Sequence, residues 1–290
     1  MKKERVYFVD RPDTLLGFLL RRVNGLSRNS IKHLLSRGQV LVNHKCQRQF
    51  DFPLFPGQQV ALLPPSKESE LPFPILYEDE ELIAINKPAG LLSVATEAEK
   101  HRTAYRLVSD YLQGRDRLPR IFVVHRLDRD TSGILLFTKE EKLKRSLQND
   151  WNHRVQRRGY WAVVEGDNLP KEGVFRSTLT ENSVHKVYST AQGKGKDALT
   201  HYHVLSRRAG YFLLDVEIKT GRKNQIRAHL SEAGHPVAGD KKYSASSDPM
   251  GRLALHAYHL SLIDPRSGKL LSFTAPAPDV FRQMFPLHSW

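Results

Sequence analysis

Two segments carry side chains capable of chemistry. The first is His125-Arg-Leu-Asp128-Arg-Asp-Thr-Ser-Gly133, which inserts charged and hydroxylic residues between the apolar runs 121–124 and 134–138. Polar groups between core strands are costly unless they are partnered, and a loop pinned between strands is where sites are commonly built. Asp128 is a candidate nucleophile or general base. An Asp at this spacing can equally brace a turn with Thr131 and Ser132. The second segment is Lys219-Thr-Gly-Arg-Lys-Asn-Gln-Ile-Arg227-Ala-His229. Gly221 breaks a strand and a helix follows, so Arg222, Lys223 and the first-turn amides suit phosphate groups. Ile226 and Leu230, four apart, form the core stripe. Arg227 beside them can turn inward to a carboxylate, or belong to a solvated basic face.

These segments need a scaffold, and the pattern of residues 75–290 supplies one. Strand-like runs fall at 75–77, 82–86, 121–124, 134–138, 160–164, 198–205 and 211–218, with helical stretches at 103–112, 141–150 and 224–233. Hairpin-like neighbours and few helices predict an α+β fold with a largely antiparallel, mixed sheet. A small α/β unit precedes it over residues 1–63. There, Asp13 reads as the N-cap of a first helix. A second helix over 28–37 buries Ile31, Leu34 and Leu35, ends at Gly38, and leaves Arg28, Lys32 and Arg37 free to face outward. Strands follow from 40 and from 60. Prolines 64, 65, 72 and 74 stand among polar residues and suit neither helix nor central strand, so 64–74 reads as a semi-rigid linker between domains 1–63 and 75–290.

The chain has 290 residues, 45 Lys and Arg against 31 Asp and Glu, and a formal charge of +14. Residues 1–63 hold 11 of the cations and 4 of the anions, so half of the excess sits in under a quarter of the chain. Such an excess suits a polyanionic partner. The single cysteine, Cys46, cannot form an internal disulfide or a paired-Cys zinc site, which fits a reducing compartment. No apolar run approaches membrane-spanning length, and the expected location is cytoplasmic with no membrane partner. His256 and His259 lack a matching carboxylate or Cys partner, so no metal site is expected.

Taken together the motifs resemble the RluA-type pseudouridine synthases. The likeness rests on 125–133 and on three further stretches in the same order. These are Tyr77-Glu-Asp-Glu-Glu-Leu-Ile-Ala-Ile-Asn-Lys-Pro-Ala-Gly-Leu91, Arg158-Gly-Tyr160-Trp-Ala-Val-Val-Glu-Gly166, and Thr220-Gly-Arg-Lys-Asn-Gln-Ile-Arg-Ala-His-Leu230. The last continues with Gly234-His-Pro-Val-Ala-Gly-Asp-Lys-Lys-Tyr243 and Leu255-His-Ala257. Residues 11–63 resemble an S4 RNA-binding domain through the helix ending at Gly38, Val40-Leu-Val-Asn43 and Pro56-Gly57. The resemblance implies isomerisation of uridine within structured RNA, ribosomal first and transfer RNA second, without metal or organic cofactor. It places the catalytic aspartate on Asp128, the base-contacting tyrosine on Tyr160 and the pairing arginine on Arg227. RNA contacts fall to Arg126, Arg129 and Arg222 and, in the small domain, to Arg28, Lys32 and Arg37; Arg126 and Arg129 can equally brace the loop. A monomer is expected. Two other readings compete: an RNA-binding assembly factor, and an N-glycosidase using Asp128 with Asp130. The chain departs from the family pattern at Lys223-Asn224, where a Thr- or Ser-His pair is usual. Arg158 stands in place of a frequent Lys, and Ala95-Thr96 in place of a frequent His-Pro.

Overall fold

Apolar β-rich runs dominate the chain beyond residue 71, and the fold follows from how they pair. The computed structural model describes residues 5–36, 38–63, 71–100, 102–115, 120–191 and 193–286. The chain divides into two compact units, 1–70 and 71–290. Of the expected linker 64–74, residues 64–70 lie outside the described residues, as does Arg37.

In the first unit, the helices Leu15–Arg22 and Arg28–Ser36 lie with a four-stranded sheet ordered Arg5–Phe8, Gln59–Leu62, Val40–Val42, Lys45–Cys46. Phe18, Leu19, Ile31, Leu35, Val40 and Val60 close its core. The first helix is capped by Thr14 rather than Asp13: the Thr14 hydroxyl accepts from the Gly17 amide at 3.1 Å. Asp13 instead accepts from the Thr14 amide at 2.8 Å, so it lies one residue too early to serve the first turn.

The second unit is built on an eleven-stranded sheet, mostly antiparallel. Its central strands run in the order Tyr211–Ile218, Val155–Glu165, Leu255–Ile263, Ser132–Thr138, Leu82–Lys87. Ser132–Thr138 is buried at every position, as its unbroken apolar run requires. Among the described strands of this sheet one pairing is parallel: Ser132 lies opposite His256 and Gly133 opposite Ala257. Gly133 has φ +112°, and a Cβ there would stand 2.1 Å from the Ala257 carbonyl oxygen, so only glycine fits.

The mixed, largely antiparallel α+β reading matches this unit. Three elements differ from expectation. The run 121–124 is a strand only at Phe122–Val123. The helix expected over 141–150 is Glu141–Asn149, followed by a separate turn, Trp151–Arg154. The helix expected from 224 is Gln225–Glu232, and Asn224 stands before it in the left-handed region at φ 51°. Four strands have no counterpart in the sequence reading: Glu172–Glu181, Val187–Thr190, Leu255–Ile263 and Leu270–Thr274. Glu172–Glu181 is exposed or half-buried at eight of its ten positions, which weakens the apolar alternation that would reveal it.

Candidate active site

The loop between Val123 and Ser132 is held from beneath. The Lys87 ammonium donates to the carbonyls of Pro88, Leu91 and Arg129 at 3.0, 2.8 and 3.0 Å. The side chain is fully buried. Burial lowers its pKa to about 7, against the pull of Asp130 and Asp128. Three carbonyls match the three N–H donors of a charged lysine, and that match resists deprotonation. The Ser93 hydroxyl donates to the Leu127 carbonyl and accepts from the Leu127 amide, at 2.8 and 3.1 Å. Arg129 Nε donates to the Gly90 carbonyl at 3.2 Å, so this exposed arginine braces the loop. Arg126 is exposed.

At the far end of the loop Arg252 Nη2 donates to Ser132 Oγ at 2.7 Å, and Ser132 Oγ lies 2.7 Å from His256 Nδ1. The arginine can only donate, which leaves the serine proton free for Nδ1. Burial, with Arg252 nearby, pushes the His256 pKa down to about 3. His256 sits on the strand Leu255–Ile263, buried against the ring of Trp161. Among the described residues no group of three or more His, Cys, Asp or Glu gathers as a metal would require.

Asp128, on the loop so braced, opens into a cleft of about 1300 Å³ whose wall includes Tyr160, Arg158, Arg222 and Arg227. Its side chain keeps 29% of its surface exposed. Arg227 comes from the first turn of the helix Gln225–Glu232. Its Nε and Nη2 clamp Asp240 at 2.6 and 2.8 Å, and its Nη1 bonds Asn224 Oδ1 at 3.1 Å and Asp128 Oδ2 at 3.4 Å. Burial works against the Arg227 charge, but Asp240 and then Asp128 outweigh it and raise its pKa above the usual arginine range. Asn224 Nδ2 donates in turn to the Tyr243 hydroxyl at 3.2 Å, and the Arg227 guanidinium lies 5.0 Å from the Tyr243 ring centre. Tyr160 lies on the strand Val155–Glu165. Burial, reinforced by Asp128 and opposed by Arg158, pushes its hydroxyl up to about 12, so the ring carries a neutral donor.

The structure thus brings Asp128, Tyr160, Arg227 and the basic residues Arg126, Arg129 and Arg222 to one cleft. Arg222 is exposed and donates from Nε to the Asp197 carbonyl at 2.9 Å. Lys223 is ion-paired with Glu181 on the cleft wall. Arg28 and Lys32 are exposed on the first unit, and the Lys32 ammonium lies 4.8 Å from the Phe50 ring centre. Two residues central to the site were not singled out from sequence. Asp240, the principal partner of Arg227, lies in the quoted stretch 234–243. Lys87 closes an apolar strand where a lysine has no bland reason to be buried.

With this geometry established, the comparisons define the class. Residues 81–232 match the RNA pseudouridylate synthase family. The chain is 37% identical over 218 residues to the ribosomal large subunit pseudouridine synthase D of Nitrosomonas europaea, covering 72% of this chain and 63% of that protein. It is 33% identical over 276 residues to the uncharacterised RNA pseudouridine synthase YlyB of Bacillus subtilis, covering 90% and 89%. The solved structure of human RNA pseudouridylate synthase domain containing 4 shares the fold, with TM-score 0.59 and 24% identity over 73% of this chain and 91% of that one. The chain belongs to the RNA pseudouridine synthase family, whose members are isomerases acting on RNA.

Proposed function

We propose that this protein converts uridine to pseudouridine in structured RNA, ribosomal RNA of the large subunit first, with Asp128 as the nucleophile. The observation that carries the reading is the unequal grip of Arg227. Two of its nitrogens are committed to buried Asp240, and a third leans on Asp128 from 3.4 Å. The guanidinium is therefore fixed as a counter-charge while the Asp128 carboxylate, partly exposed in the cleft, keeps oxygen lone pairs free to attack.

The carboxylate adds to ribose C1′ or to uracil C6. The C1′–N1 bond breaks, the base turns, C1′ bonds to C5, the bond to Asp128 breaks and returns the free carboxylate, the C5 hydrogen leaves as a proton, and N1 regains one, so the RNA mass is unchanged. Tyr160 offers a ring to the uracil and a protonated hydroxyl to a polar edge. Extruding a uridine from folded RNA costs a few kcal/mol, which phosphate contacts at Arg126, Arg129 and Arg222 offset in part. No metal or organic cofactor takes part in these steps. The first unit, with Arg28, Lys32 and Arg37, serves as an S4-like RNA-binding domain, supported by its sequence pattern and its share of the positive charge. The protein acts as a cytoplasmic monomer.

An N-glycosidase would present two carboxylates to the scissile bond; the cleft wall includes Asp128, Arg129 and Thr131 but not Asp130. The test is release of the C5 hydrogen from tritiated ribosomal RNA together with assay of free uracil. Wild type releases tritium and no uracil. Asp128→Asn lowers release at least about 10³-fold while RNA binding survives. Undiminished release by the variant, or free uracil from wild type, overturns the reading.

A further inference from the structure

The cleft runs on beyond the residues that the reaction uses. Small-molecule pockets run from about 300 to about 1,000 Å³, and this cleft holds about 1300 Å³. Its wall continues past the catalytic loop along Arg120, Phe122, Lys144, Gln148 and Trp151. None of these touches Asp128 or Arg227 in the bonds described above, and the isomerisation gives them no task.

Their chemistry is specific. Trp151 is half-buried and packs on the His125 ring with centroids 5.5 Å apart. Phe122 is half-buried, with the Arg120 guanidinium 5.4 Å from its ring centre. Gln148 Nε2 is spent on the carbonyls of Val123 and Val124, at 3.2 and 2.9 Å. The amide is thereby oriented, and its Oε1 accepts no hydrogen bond among the described residues. Arg120 and Lys144 make no close ion pair among the described residues, and both act at longer range on the exposed Glu141 carboxylate. Aromatic rings beside cations are the combination that binds unstacked nucleotides: rings take bases and cations take phosphates.

We propose that this arm of the cleft is a second nucleotide subsite. It takes an unmodified nucleotide of the same RNA, splayed from its neighbours, with its base against Trp151 and Phe122, a base N–H on Gln148 Oε1, and its phosphate on Arg120 and Lys144. The proposal rests on the reading of RNA as substrate. Gln148 and Trp151 also adjoin the residues leading into the catalytic loop, so filling the arm stiffens the approach to Asp128.

The test reads binding without turnover, so it stands apart from the test of isomerisation. The full chain is titrated with decauridylate and with an abasic ribose-phosphate decamer, following tryptophan fluorescence. Subtracting the response of Trp151→Phe isolates Trp151 from Trp161 and Trp290. The expected result is that decauridylate quenches the Trp151 signal and the abasic decamer does not. Arg120→Gln with Lys144→Gln, surface changes that leave the core intact, weakens decauridylate binding about tenfold at low salt. The double variant also reduces the slope of log affinity against log salt by about 1.4, the share of two single-strand phosphates. Equal quenching by the abasic decamer, or a double variant with wild-type affinity and slope, overturns the subsite. Binding as expected without tritium release overturns the isomerase reading alone.

Discussion

Arg227 is asked to do two things with one planar group. Its edge toward Asp240 makes two short, buried hydrogen bonds, and its remaining nitrogen faces Asp128. A fork of fixed geometry can serve both carboxylates, whereas a lysine point charge cannot. Asp240→Asn keeps the shape and removes the charge, leaving a buried guanidinium short of its main partner. Loss of a buried partner costs about 3–5 kcal/mol. Denaturant unfolding should show a loss of that order. Steady-state kinetics should show kcat reduced about 10²-fold with KM little changed, because the guanidinium is no longer held toward Asp128. Asn224 belongs to the same device. Its left-handed backbone is one that Asn tolerates better than most side chains.

At the scale of elements, the catalytic loop is a span between two strands, and Lys87 is its central tie. The lysine joins the turn after Leu82–Lys87 to the Arg129 carbonyl, next to Asp128. Lys87→Met would leave three carbonyls without their donor. With hydrogen bonds to a charged group worth about 1.5–3 kcal/mol, unfolding free energy should drop by about 2–4 kcal/mol. Activity should fall more than RNA affinity, since the loop loosens while the cleft's cations remain.

How much of this was legible follows from the same physics. Runs such as 134–138 and 211–218 announced themselves because a buried strand must be apolar. The loop at 125–133 stood out because charge interrupted that pattern. The Asp240 clamp and the Lys87 tie were hidden, since each depends on a partner far along the chain: 13 residues for Asp240 and Arg227, 42 for Lys87 and Arg129. Neither local propensity nor spacing records such a meeting. The strand Glu172–Glu181 was hidden for the opposite reason, a half-exposed face that lacks the apolar signal.

At the scale of the whole molecule, several histidines are folded into the second unit as neutral groups. Burial takes His125 to about 4 and His256 to about 3, and it lowers His229 as well. Between the ordinary histidine pKa of about 6.5 and those depressed values, the unfolded chain binds protons that the folded chain refuses. The unfolded state then holds more protons, so stability rises with pH across that window and falls on acidification. The expected outcome is a protein that loses several kcal/mol between about pH 6.5 and pH 4. In denaturant titrations across that range, His256→Gln, which keeps an acceptor for Ser132, should show a shallower loss.

The parallel contact of Ser132 and Gly133 with His256 and Ala257 also dictates when the enzyme can begin to work. It ties the catalytic loop to a segment made 124 residues later, and closing so long a span comes late in folding. A growing polypeptide still on the ribosome therefore holds the Ser132 end of this loop untied until the strand Leu255–Ile263 has emerged, while the ties to Lys87 and Ser93 can already close. Until then the loop that carries Asp128 lacks its far anchor, and the isomerisation proposed above waits on it.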